Sequence, residues 1–393
     1  LSASLQAHWP PAQGAGGLEL QASDVARALG WLRGLPVLPA SLEAGLAGVR
    51  ARGQAELRLD WPAGLADAQI QGRLDLPELE GLPGGLKGRD VRANVQGRLT
   101  QAAWQLQART EGAPAVQAQA RGELVLPAAS LPRALSAGVS QLAWMLRLQQ
   151  VELALEDPGL GRWRLSNPQA LNLRGTGAQL QAEPGQLTLQ PPPRAGPQSA
   201  LLAWQVLRWQ DGQFHSTGSL SGLPQSWVEL LAGPWLQRAG MQGDLVFDGR
   251  WDLRLGRQLS AQAELLRRSG DLSLHAETGQ GLAARVSAGL REARLNLQAQ
   301  GQDLLLGWRW DSERAGQSQG QLRSRLQQDG DRWRWPEDAP LSGQLQAQLP
   351  RLGVWSALSP PGWRLRGSLT TQLSVSGSRS RPQFSGPLQA EDL

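Results

Sequence analysis

Apolar and polar residues alternate strictly through almost the whole chain, a period that suits a β-sheet with one face to bury. Val91, Ala93, Val95, Gly97 and Leu99 fall on one side of such a strand, with Arg92, Asn94, Gln96 and Arg98 on the other. The same division separates Val116, Ala118, Ala120, Gly122 and Leu124 from Gln117, Gln119, Arg121 and Glu123. It returns in Leu245, Phe247, Gly249, Trp251 and Leu253, then in Ala293, Leu295, Leu297 and Ala299. Near the end come Leu341, Gly343, Leu345, Ala347 and Leu349, followed by Trp363, Leu365, Gly367, Leu369, Thr371, Leu373 and Val375. Runs stop at Gly, Pro, Asp or Asn, the residues of tight turns. Parallel pairing would need a crossover helix between strands, so antiparallel hairpins are expected.

A few segments switch to helical period. Ser23 is placed to cap a turn carrying Val25, Leu29 and Leu32, and Ser41 one carrying Leu42, Leu46 and Val49. Further helical stripes run from Ser130 to Met145 and through Trp227, Leu230, Leu231 and Trp235, with a short turn over Leu352 to Leu358. These read as plugs laid against a sheet. A loose echo, Gly-Arg-Leu-Asp-Leu-Pro from Gly72 and Gly-Glu-Leu-Val-Leu-Pro from Gly122, is too unevenly spaced for a solenoid repeat. The Pro-rich stretch from Gln190 to Pro197 is the best boundary, giving a first part over 1–190 and a continuation over 198–393. The fold class expected is all-β: an elongated, lengthwise-folded antiparallel sheet with a few short amphipathic helices.

A strand every ~12 residues makes roughly 30 strands, a sheet about 150 Å long at about 4.8 Å per strand. Its apolar face needs cover from a second sheet, from closure into a barrel, or from a ligand held in a trough. Inward positions are mostly Ala, Leu, Val and Gly, which leave room for an acyl chain; an ordinary sandwich core remains open on the same pattern. Candidate groove-lining residues are Val91, Val95, Leu99, Val116, Ala118, Leu124, Leu245, Phe247, Leu295, Leu297, Leu341, Leu345, Leu349, Leu369, Leu373 and Val375.

Catalytic chemistry is not expected. There is no cysteine, so neither disulfide nor thiolate chemistry is available. His8, His215 and His275 stand far apart without ligand spacing, and no metal or cofactor site is expected. Gly218 to Gly222 reads G-S-L-S-G, with leucine where a nucleophile would stand. Glu156-Asp157, Glu337-Asp338 and Asp329-Gly330-Asp331 have the composition of solvated turns. Positive charge is nearly all arginine, Lys87 being the one lysine, and acids interleave with it as in Asp244, Asp248, Arg250, Asp252 and Arg254. That is not the basic stripe of a nucleic-acid site. No apolar run approaches the roughly 20 residues of a membrane helix. The chain opens on Leu1 and ends on Leu393 within an apparent strand, so it is read as a piece of something longer. Trp308 and Trp310 share a face, as do Trp333 and Trp335, each pair bracketing an arginine. Packing over a wide sheet is the favoured role, with a sugar-stacking platform or interfacial belt as the alternative.

At the C-terminal end Gly367, Leu369, Leu373, Val375 and Gly377, then Pro382, Phe384, Gly386, Leu388 and Ala390, form a recognisable pattern. It resembles the signature G-x-L…V-x-G-x…P-x-[LF]-x-G-x-L-x-A of the TamB family, the translocation and assembly module of Gram-negative envelopes, within the AsmA-like group. The stretch from Pro340 to Leu358, with Trp335 before it and Trp355 within it, is similar to the segment preceding that family's C-terminal domain. The resemblance implies a β-taco with a hydrophobic groove, in a periplasmic bridge anchored in the inner membrane. It implies phospholipid acyl chains as cargo and an Omp85-type outer-membrane partner (TamA-like) met by regions outside this chain. An assembly scaffold or chaperone for outer-membrane proteins is the alternative function. A transmembrane barrel fits poorly, for want of tyrosine girdles and uninterrupted strands, and a carbohydrate enzyme lacks an acid pair.

Overall fold

A computed structural model describes residues 2–7, 14–33, 50–81, 87–112, 115–131, 141–157, 161–177, 179–192, 199–225, 227, 242–277, 283–330, 332–353 and 366–392. These residues are overwhelmingly β, and the fold is all-β and antiparallel. The chain divides into two units, Leu1–Arg194 and Ala195–Leu393.

In the first unit, the alternating runs form a meander in which each strand pairs antiparallel with the next. Its members are β1 (Ser2–Ala7), β2 (Gly16–Ala22), β3 (Arg50–Trp61), β4 (Gln69–Glu80), β5 (Lys87–Arg98), β6 (Gln101–Glu111), β7 (Ala115–Val125) and β8 (Ala143–Asp157). Beyond β8 come β9 (Gly161–Ser166), β10 (Leu171–Thr176), β11 (Gln179–Ala182) and β12 (Gly185–Gln190). Strand β8 is long enough to pair with two partners. Residues 143–148 bond to β10 and residues 152–157 to β9. The side chain of Asn167 fills the changeover: its Oδ1 accepts the Val151 N–H at 2.5 Å, and its Nδ2 donates to Leu148 O and Gln149 O, each at 3.3 Å. A carboxylate there would lose both donations.

The second unit repeats the meander through β13 (Ala200–Gln210), β14 (Gln213–Pro224), β16 (Val246–Leu255), β17 (Ser260–Ser269), β20 (Leu290–Gln300), β21 (Asp303–Ser312), β22 (Gly316–Arg325), β25 (Ser342–Leu349) and β26 (Ser368–Gly377). Strands β27 (Pro382–Ser385) and β28 (Leu388–Glu391) share the far edge of β26. Gly386 separates them with φ 147. A Cβ there would lie 2.2 Å from Gln372 O, so this glycine is required by close approach as well as by conformation. Two small sheets interrupt the meander, one of β15 (Gln242–Gly243), β18 (Leu272–Glu277) and β19 (Ala283–Ser287), the other of β23 (Gln327–Asp329) and β24 (Arg332–Arg334).

Helical expectations fared unevenly. Helix α1 (Val25–Arg33) forms, but Asp24 caps it, not Ser23: Asp24 Oδ1 accepts the N–H groups of Ala26 at 3.0 Å and Arg27 at 3.3 Å. The expected stripe from Ser130 to Met145 is cut at both ends. Ala128–Ser130 is a single 3₁₀ turn, and Ala143 to Met145 already belong to β8. There Trp144 crosses to β10, which fixes it as a sheet residue. The expected segment over Ser41–Val49 and most of Trp227–Trp235 and of Leu352–Leu358 lie outside the described residues, as do Trp363, Leu365 and His8.

Tryptophan and glycine recur as facing partners. Trp104 stands opposite Gly122, Trp144 opposite Gly175, Trp251 opposite Gly218 and Trp308 opposite Gly320. A Cβ on these glycines would meet an indole carbon at 3.2, 2.5, 2.3 and 2.3 Å respectively. The ring therefore lies across the neighbouring strand in the space a side chain would take, which covers backbone that glycine leaves bare. Gly218→Ala is expected to destabilise the fold by ~1–3 kcal/mol through overpacking. Gly307→Ala, where the nearest atom is 3.9 Å from the new Cβ, should leave it nearly unchanged. Urea midpoints of the two variants check this, and equal midpoints would contradict the flat-indole packing.

Candidate functional site

Register places the apolar side chains of the second unit in rows running across the strands. One row passes through Gly249, Leu265, Leu295, Trp308, Gly320, Leu345 and Leu373. Beside it runs Trp251, Ala263, Leu297, Leu306, Leu322, Gly343 and Val375. Among the described residues, packed cores stand at the two margins of this face. At one end Leu245, Leu272, Ala288, Leu290 and Ala315 bury themselves against Phe247, Ala293 and Trp310. At the other, Leu259, Ala261 and Ala299 pack with Leu253, Leu304, Leu326 and Trp333. Apart from Val375, which is buried, the residues of the two rows between remain half-exposed, and Leu295 keeps 42% of its surface open. Such a lane costs stability until something apolar covers it, about 1.5–3 kcal/mol for each large side chain fully buried.

The first unit has the same plan. Its middle row is Leu20, Leu57, Gly72, Val95, Trp104, Gly122 and Leu148, nearly all half-buried. Val25 of α1 joins Ala51, Leu76 and Val91 in a core at one end of β3–β5. Leu153, on the row of Ala118, is 37% exposed.

The opposite faces are self-satisfied. Arg250, Glu264, Arg294, Glu292 and Arg309 form a chain of ion pairs over four strands, with separations of 2.5, 3.5, 4.0 and 3.1 Å. Arg52, Glu78, Arg89 and Glu111 do the same in the first unit at 3.3, 2.6 and 2.5 Å. The hydrogen bond from Arg89 holds the Glu78 carboxyl below its usual range. Exposed pairs of this kind add little stability each. Their effect is to leave these faces content in water.

Of the sixteen expected lining residues, Val95, Val116, Ala118, Leu124, Leu295, Leu297, Leu345, Leu349, Leu369 and Leu373 occupy the apolar rows of their strands with part of their surface open. Phe247 is half-buried against one marginal core. Val91, Leu245 and Val375 are buried. Leu99, Leu245 and Leu341 fall just outside β5, β16 and β25; Leu99 N–H donates to Ala68 O at 2.7 Å, extending the β4–β5 pairing by one step. Open depressions lie between the polar side chains of these strands. One of 720 Å³ is lined by Arg294, Asn296, Arg309, Gln319, Gln344 and Gln346 together with Trp308, Gly320 and Gly343 of the rows, without Leu295 or Leu345. Val95 borders a similar depression of 620 Å³ and Leu297 one of 360 Å³.

Among the described residues no group of three or more His, Asp or Glu side chains is arranged to hold a metal. His215 faces Asp252 at 3.5 Å on the polar side of β14. The best-organised carboxylate is Asp271, between β17 and β18. It accepts the Ser287 hydroxyl and the N–H groups of Leu290 at 2.9 Å, Gly289 at 2.9 Å and Leu272 at 2.8 Å. These are bonds that tie one small sheet to the start of β20. Sequence reading missed this residue, because its donors come from a distant turn.

No family model, curated protein or solved structure matches the chain. No described helix is long and apolar enough to cross a membrane.

Burial pushes the Asp271 carboxyl up, but the hydrogen bonds from Ser287, Leu290, Gly289 and Leu272 outweigh it and hold the group below its ordinary value. Its stabilising contribution is therefore complete above the unfolded carboxylate's pKa and is lost as pH falls through the lower folded value. Asp271→Asn should be less stable than the parent at neutral pH, and that gap should close on acidification. Urea midpoints at pH ~7 and ~3 check this, and a gap independent of pH would contradict it.

Proposed function

We propose that the chain is a segment of a periplasmic bridge between inner and outer membranes, carrying phospholipid with its acyl chains against the apolar lanes. The observation that carries this reading is the half-exposed row from Leu265 to Leu373, framed at both margins by small packed cores. A sandwich would bury that row under a second sheet. The framing also supports a ligand that lies across the strands, since the margins are closed and the middle is not. The C-terminal motif adds to it: Val375 pairs with Phe384 and Gly377 with Pro382, so the residues resembling the TamB signature form one hairpin unit at the edge of this lane.

On this reading the headgroup stays in water while the chain replaces solvent on the sheet. Each methylene so covered contributes about 0.8 kcal/mol. Leu345 lies between Gly320 and Leu373, and Gln346 points to the polar face beside it. Leu345→Arg should keep the strand circular dichroism and lower affinity for a fluorescent fatty acid about tenfold, the equivalent of ~1.4 kcal/mol. Gln346→Arg should not. Equal binding by the two variants and the parent would refute the lane. Retained binding of an unfolded outer-membrane protein, with no fatty-acid binding, would support the scaffold function instead.

A further inference from the structure

The polar face of the second unit changes character beyond β21. Its ion-pair chain sets three arginines, Arg250, Arg294 and Arg309, against two carboxylates, Glu264 and Glu292. The next strands, β22, β25 and β26, contain no Asp or Glu. They present amides instead, and Gln319 Nε2 donates to Gln346 Oε1 at 3.1 Å. Arg323 stands among them, opposite Leu305 on one side and Ser342 on the other, and neither can neutralise it.

The 720 Å³ depression lies where these features meet. Register puts Asn296, Gly307, Gln321 and Gln344 in one row across β20, β21, β22 and β25. Arg294 and Arg309 fall on one side of that row and Arg323 on the other. Gly307 leaves a gap in it. The nearest heavy atom to a Cβ built on Gly307 is 3.9 Å away, so the space above this glycine is open. Three arginines and several amides therefore border the gap, and no Asp or Glu lines it.

A cavity lined by arginine without acid favours an anion, and the guanidinium fork matches carboxylate and phosphate oxygens. Each amide offers a carbonyl acceptor beside its N–H donors, so a ligand that meets them carries hydroxyl groups as well as an acid. The volume falls within the about 300–1,000 Å³ typical of sites for small organic ligands. We propose that this depression binds an acidic oligosaccharide. Arg323, with Arg294 and Arg309, holds its carboxylate or phosphate, and the amides of Asn296, Gln321 and Gln344 hold its hydroxyls. The site lies on the face opposite the apolar lane and does not depend on the lipid reading.

The test is calorimetric titration of the full chain with oligouronates and phosphorylated oligosaccharides, each beside its neutral counterpart, and with inorganic phosphate. An acidic sugar should bind about tenfold or more tightly than its neutral counterpart and than phosphate alone. The two acid series distinguish carboxylate from phosphate as the anchoring group. Arg323→Gln should weaken that binding about tenfold, the order of one hydrogen-bonded charge. Arg325→Gln removes the same charge from the same face but outside the depression, and should change binding less than about twofold. Gly307→Gln fills the gap and should abolish binding, with the strand circular dichroism kept. Acidic and neutral sugars binding alike, no binding by any sugar, phosphate binding as tightly as the sugars, or equal losses in Arg323→Gln and Arg325→Gln would each overturn the inference. Failure of the parent to bind a fluorescent fatty acid would count against the lipid reading alone.

Discussion

Cross-strand register is the constraint from which the rest follows. Once Val95 faces Trp104 and Leu345 faces Leu373, every apolar residue of a strand joins a row, and every charged residue joins a row on the other side. A shift by one residue would exchange the faces. The polar rows then find their own partners, as in the Arg250–Glu264–Arg294 chain, where Glu264 is pinned with its side chain only 12% exposed. The apolar rows have no such remedy, because their stability depends on excluding water. Packed cores form at the strand ends, where α1 or a small sheet supplies a second layer, and the centre of each face stays largely half-exposed.

Tryptophan resolves a conflict within that face. Glycines such as Gly218 and Gly320 leave bare backbone in the row, and the facing indole covers it without adding height. Its N–H would then be a polar defect, and Ser216 or Ser318 absorbs it. Three residue types that look unrelated in sequence thus act as one unit on two adjacent strands.

The period-two pattern made the strands legible almost everywhere, because each position's side is set locally by the pleat. Val116 to Leu124 is a clear case, and so is Leu345 to Leu349. Strand ends were less legible. Leu99 and Leu341 continue the alternation one residue past the ends of β5 and β25, and Leu245 is drawn into a marginal core that no local pattern announces. Ser23 and Asp24 are both good caps, and only the geometry of the first turn chooses between them. The expected helical stripe stops short of Met145 because Trp144 gains a partner in Gly175, some thirty residues away, while residues 132–140 lie outside the described residues. The Trp–Gly pairs and the Asp271 site share that dependence: both are made by register or by a distant turn. The glycines and tryptophans were visible, but their opposition was not.

On the proposed function, one side of each sheet meets lipid and the other meets water. That division is tested most directly by photo-crosslinking in cells with an intact envelope, with a diazirine side chain placed in turn at Ala118, Gln119, Leu297 and Gln298. Ala118 and Leu297 lie on the apolar rows, while Gln119 and Gln298 are exposed on the opposite faces. Mass analysis of the adducts should find phospholipid at Ala118 and Leu297 and little at the two glutamine positions. Equal lipid capture at all four, or protein adducts alone at the apolar positions, would contradict the account.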